Sequence, residues 1–283
     1  MAAQRVLKSV CQTNHSCHIA SVSSLSSSLL FRTKSTIAAG DNSSNSSADT
    51  LTKPKLHYFA FRGRALASRV ALFNSLGKDG WIDQRVSLPR FKRDPNVKQP
   101  MQNPDRLIKN EYITNNLPQL DLPCGTRVSQ SHAIARYAAK LQPKATNLPP
   151  HFLSNLYPSD KVEAMIVDEA IAIVDQILLL TPKDVDAETR KLRRDEYQDT
   201  GFLRVGMEVL EGRLAVSGGP FLLGDQLTIA DLYLRAPLCD LFDLGQFEGV
   251  DSNFYNAFPR IKACGDAVLE HPLLKAYHET YKN

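Results

Sequence analysis

The chain has 283 residues, 43% hydrophobic and 23% charged, the balance of a soluble globular protein with room for two modest domains. Its net charge of +4 is local: Arg5, Lys8, Arg32 and Lys34 lie in residues 1–40, which hold no Asp or Glu, and setting those four aside leaves 30 basic residues against 30 acidic. A neutral body argues against a general electrostatic grip on nucleic acid. No apolar run is long enough to span a bilayer, since the strongest, Ala170 to Leu180, is short and contains Asp175 and Gln176.

Residues 1–40 are basic, Ser-rich and acid-free, the composition of an organelle transit peptide. The expected destination is the mitochondrion, otherwise another organelle or the cytoplasm, and a disordered tail is the plainer alternative. Gly40 to Thr52 is too polar to bury a core and reads as linker, so the folded body starts near Lys53. Of the five cysteines, Cys124, Cys239 and Cys264 fall in that body. There is no CxxC pair and no zinc-like Cys/His spacing, so free thiols and no metal are expected.

Lys55 to Phe59 predicts a short strand. A turn at Arg62-Gly63 leads to a helix carrying Ala65, Val70, Leu72, Phe73 and Leu76, with Gly77 as its stop. Trp81 to Leu88 predicts a second strand and closes a βαβ unit. Residues 89–105 read as an irregular loop. Leu117–Leu122 and Thr126–Val128 predict two strands joined at Pro123-Cys124-Gly125, and Ser129 to Lys140 a helix. That order is thioredoxin-like. From about Asp160 the pattern is helical throughout, with long helices over Val162–Leu180 and Glu188–Val216. The expected fold class is an α/β thioredoxin-like N-terminal domain plus an all-α C-terminal domain. The expected segments are 1–52 targeting and linker, 53–141 thioredoxin-like, 142–158 linker and 159–283 helical.

Three strings make the resemblance specific. YFAFRGRA (Tyr58 to Ala65), LPQLDL with QSHAIARYAAKL (within Leu117 to Leu141) and FLLGDQLTIADLYL (Phe221 to Leu234) stand in the order found in glutathione transferases. The chain resembles the sigma-like class of that family, which includes the haematopoietic prostaglandin D synthase, over about residues 53–283. The resemblance implies glutathione as co-substrate, a small hydrophobic electrophile and a homodimer.

A free thiol of ordinary pKa, roughly 8.5, is mostly protonated at neutral pH, and the thiolate is the nucleophile. Lowering that pKa by two units takes about 2.7 kcal/mol. Tyr58 ends the first strand, where a phenol can donate to the sulfur, and Arg64 matches the family arginine beside it. Leu117-Pro118 matches the family's cis-proline turn, whose exposed backbone pairs with the cysteinyl part of glutathione. Gln130 and Ser131 open a helix, whose free N–H groups suit the γ-glutamyl carboxylate. Lys109 and Asn116 match further glutathione contacts. Asp105 stands where the family usually has Trp, and Ala172 where a partner subunit often supplies an acid, so the glycine end is expected to be held differently.

Other features read as structural. His57 points to the opposite face of the strand from Tyr58, Asp168 is a structural acid, and Thr228-Ile229-Ala230-Asp231 is a capping box. Arg190 to Glu196 mixes charges as a solvated helix face. The leading functional reading is glutathione conjugation for detoxification, with isomerisation or reduction of lipid peroxides as a variant. The alternative is a non-catalytic module of the same fold used for protein association or ligand carriage. A thiol oxidoreductase lacks its cysteine near Tyr58.

Overall fold

The computed structural model describes residues 51–87, 116–141, 155–251 and 253–281. Strand β1 (Lys55–Tyr58) alternates half-buried and buried positions, so Leu56 and Tyr58 face inward. A short 3₁₀ turn, Gly63–Ala65, leads into α1 (Leu66–Leu76), which ends at Gly77 as expected, with φ +71° there. Strand β2 (Ile82–Arg85) pairs parallel with β1. Strands β3 (Gln119–Asp121) and β4 (Arg127–Ser129) complete a sheet of order β2-β1-β3-β4, with β1–β3 and β3–β4 antiparallel. The predicted βαβ–ββα order is therefore the observed one.

The predicted strand from Trp81 to Leu88 is shorter at both ends, since Val86 and Ser87 already lie beyond the ladder that ends at Arg85. Trp81 turns its ring into the core, 4% exposed, and the ladder begins at Ile82. Helix α1 is buried almost all round, which explains why its apolar residues follow helical spacing only roughly. Its polar side chains bond neighbouring backbone: Ser75 Oγ donates to the Ala138 carbonyl at 3.0 Å, on α2 (Ser131–Lys140).

The helical half begins with α3 (Lys161–Leu180), capped by the Asp160 carboxylate, which accepts from the N–H groups of Val162 and Glu163. The predicted helix over Glu188–Val216 is two helices, α4 (Ala187–Asp199) and α5 (Phe202–Val216). Gly201 makes the break. Its backbone is extended, and a Cβ there would lie 2.7 Å from the Tyr197 Cα, so the chain turns against α4 instead of continuing it. Helix α6 (Ile229–Tyr233) opens on the predicted capping box, and the chain then kinks at Ala236-Pro237, where Ala236 is extended, before α7 (Asp240–Asp243). Helices α8 (Pro259–Glu270) and α9 (Pro272–Thr280) follow.

One hydrophobic core runs through both halves. Helix α1 packs on α2, α6 and α9. Phe73 meets Tyr277 edge-on at 5.8 Å, and Trp81 meets Tyr281 at 5.8 Å, so α9 returns to the thioredoxin-like half. Among the described residues no helix is long and apolar enough to cross a membrane.

Candidate functional site

The sheet register brings the expected site residues to one edge. His57 on β1 pairs with Gln119 on β3, and Gln119 pairs with Ser129 on β4. One residue beyond that row lie Tyr58, Pro118 and Gln130. Adjacent strands are about 4.8 Å apart, so the three positions step across about 10 Å. The Leu117-Pro118 peptide bond is cis, as the resemblance implies.

Tyr58 is 5% exposed, and its hydroxyl accepts the Arg64 backbone N–H at 3.0 Å. Burial raises the phenol above its ordinary value, against the pull of that N–H and of the Arg64 and Arg69 charges. It therefore stays protonated at neutral pH, a donor and not a base. The turn over it requires glycine: Gly63 has φ +39°, and a Cβ there would fall 2.6 Å from the Tyr58 hydroxyl and 2.7 Å from the Phe61 ring.

Two charged groups fix this turn. Arg69, 3% exposed on α1, donates to the Phe59 carbonyl at 2.7 Å and the Phe61 carbonyl at 2.8 Å, and pairs with Asp83 on β2 at 3.0 Å. Its guanidinium lies 5.5 Å from the Tyr58 ring centre. The Arg64 side chain pairs with Asp175 on α3, whose other oxygen lies 3.1 Å from His132 Nδ1 on α2. Burial works to raise the Asp175 carboxyl, but His132 and Arg64 outweigh it and hold it below the ordinary range. Sequence reading missed Arg69, Asp175 and His132. The visible signals were an arginine inside the apolar run of α1 and an acid inside that of α3.

Gln130 has φ +87°, which a side-chain-bearing residue rarely adopts, and no side chain caps α2 behind it. The start of α2, without a side-chain cap, thus lies at the end of the row. Ser131 is 5% exposed, and its carbonyl accepts from Ser68 Oγ at 3.5 Å. Asn116 is exposed and Leu117 half-buried; Lys109 and Asp105 lie outside the described residues.

The features read as structural also find places. Asp168 accepts from Arg136 Nε at 2.9 Å and the Tyr157 hydroxyl at 3.0 Å, tying α3 to α2. His57 Nε2 sits 3.1 Å from Asp121 Oδ2. Cys124 is exposed in its turn. The charged run of α4 departs from expectation: Arg194 is buried, donating to the Pro182 carbonyl at 3.1 Å and to the Glu248 carbonyl. Ala172 is exposed on α3, where the family's partner acid would stand.

Residues 179–281 match the family profile of the glutathione S-transferase C-terminal domain. S-crystallin 4 of Enteroctopus dofleini is 25% identical over 240 residues, covering 78% of this chain and 94% of that protein. Human glutathione S-transferase A1 is 24% identical over 233 residues, covering 80% and 87%. The solved structure of rat hPGDS complexed with a quinoline superposes with a TM-score of 0.57 at 19% identity, covering 82% of this chain and 98% of that one, a likeness of fold.

Proposed function

We propose a specific chemistry for a chain that is a glutathione S-transferase by its fold, its C-terminal domain and its relatives: Tyr58 donates a hydrogen bond that stabilises the glutathione thiolate for attack on a small electrophile. The observation that carries this reading is the single row of Tyr58, Pro118 and Gln130. An extended tripeptide is about 10 Å long, the width of that row. The sulfur would lie at Tyr58, the cysteinyl backbone along Leu117-Pro118, and the γ-glutamyl carboxylate at Gln130, Ser131 and the start of α2.

The protonated phenol and the positive Arg64 then both favour the anion. The thiol proton goes to solvent, the sulfur forms the new bond to the electrophile, and the displaced or reduced group carries the electron pair away. Phe61, 61% exposed and 5.6 Å from the Tyr58 ring, offers an apolar face beside the sulfur position for a hydrophobic electrophile. Isomerisation or reduction of lipid peroxides would use the same activated sulfur.

The test is retention on immobilised glutathione together with an assay on an aromatic electrophile and on a lipid hydroperoxide. Retention with turnover of the aromatic electrophile is the expected result. Retention without turnover of either would favour the carriage module, and no retention would overturn the reading.

Two further parts of the proposal lie outside the cleft. Residues 1–52 act as a mitochondrial targeting segment with its linker. The protein works as a homodimer, each N-terminal domain packing against the other chain's helical domain.

A further inference from the structure

We propose that His132 is a positioning residue for this site: through Asp175 it holds Arg64 in place, and by gaining a proton it makes the charge beside the sulfur follow pH. The inference rests on the glutathione reading above and concerns a residue to which the resemblance assigns no role.

Three elements converge on one carboxylate. Asp175, on α3, gives one oxygen to the Arg64 guanidinium and the other to His132 Nδ1 at 3.1 Å. Asp175 is 23% exposed, Arg64 35% and His132 38%, so the cluster is neither sealed nor fully screened. The charged and titratable groups around it are Arg64 from the 3₁₀ turn, Arg136 from α2, and Tyr233 from α6, whose buried phenol feels Asp175, Arg64 and Arg136. Arg64 also supplies, through its backbone N–H, the hydrogen bond at 3.0 Å to the Tyr58 hydroxyl. Arg64 thus serves the site twice, by the charge of its side chain and by the backbone N–H that bonds the Tyr58 hydroxyl.

With His132 neutral, Nδ1 carries the hydrogen and donates to Asp175, which requires Nε2 to be the unprotonated nitrogen. Arg64 and Asp175 then sum to zero charge. A proton gained at Nε2 leaves the hydrogen bond in place and makes the cluster +1. That added charge favours the thiolate at low pH, where the sulfur would otherwise regain its proton. Histidine suits this task because its charge changes in the range where thiol ionisation limits such reactions.

Two substitutions separate the positioning from the charge. His132→Leu removes both the donor and the titration. His132→Asn keeps an amide donor toward Asp175 but never gains charge. In the full-length protein, glutathione binding is measured by calorimetry, the bound thiolate by its absorbance across pH, and kcat/KM from pH 5 to 8.

The expected result is that His132→Leu lowers kcat at all pH values with little change in glutathione affinity, and that His132→Asn restores kcat near pH 8. At pH 5 the wild type should exceed His132→Asn by about threefold, the scale for one unit charge acting through a partly exposed site. Its acid limb should accordingly be shallower. If the wild type binds glutathione but all three proteins share one pH profile and one kcat, the role of His132 is overturned while the site reading stands. If the wild type does not bind glutathione, the site reading falls, and this inference with it.

Discussion

The Tyr58 phenol accepts one hydrogen bond from the Arg64 backbone and keeps its own proton to give. Removing that donor while keeping the ring is the sharpest test of its role. Tyr58→Phe should slow turnover by about 10- to 100-fold, below the 10²–10³-fold typical of a lost donor to an oxyanion, since sulfur is a softer anion. The bound thiol should ionise closer to its free value while glutathione affinity barely changes. Gln130→Ala should do the reverse, weakening binding with little effect on the thiol, because it sits two strands away. Unchanged rate and thiol ionisation in Tyr58→Phe would move the role to Arg64 or the turn backbone. Tyr58, Pro118, Gln130 and Ser131 were legible in the sequence because each belongs to a short local string. Asp175 was not, because its meaning depends on a partner 111 residues away, and Arg69 was not, because its partners lie on a strand edge and a turn.

At the scale of elements, the start of α6 is held by one buried acid. Asp231 is fully buried and accepts from the Leu222 N–H, the Thr228 N–H and the Thr228 hydroxyl, each at 2.8 Å. Burial pushes its carboxyl up, and those donors oppose the push. Asp231→Ala would leave buried donors unpaired at a helix N-terminus and should cost about 3–4 kcal/mol. Asp231→Asn keeps one acceptor and should recover part of that loss. Chemical denaturation measures both, and an alanine variant within about 0.5 kcal/mol of wild type would refute the assignment. The capping box was readable from spacing alone. The break between α4 and α5 was not, since a glycine in a helical pattern is often tolerated, and only the approach of Gly201 to the Tyr197 backbone shows why this one ends a helix.

For the whole molecule, the outer faces of α3 and α5 argue for a second copy. Val162 and Met165 on α3 are 59% and 64% exposed, and Val209 and Val216 on α5 are 40% and 81% exposed. The Arg213–Glu169 pair, at 2.6 Å, joins the two faces. A symmetric dimer would cover such a surface. Met165→Glu combined with Val209→Glu should convert a dimer to a folded monomer in light scattering at micromolar concentration. A wild-type monomer under the same conditions would rule the dimer out. The acid-free N-terminus leads to a separate expectation: the native protein should begin between about residues 30 and 52 after processing. Intact-mass measurement checks this, and a full-length cytosolic form would contradict it.

The return of α9 onto the opening half has a consequence for how the molecule comes apart. Tyr277 and Tyr281 rest on Phe73 and Trp81, and the Tyr281 hydroxyl donates to the Lys78 carbonyl at 3.2 Å. The last described helix thus acts as a clasp on the first. The two halves share one core, so the thioredoxin-like sheet and the helical bundle are expected to melt together, in a single calorimetric transition.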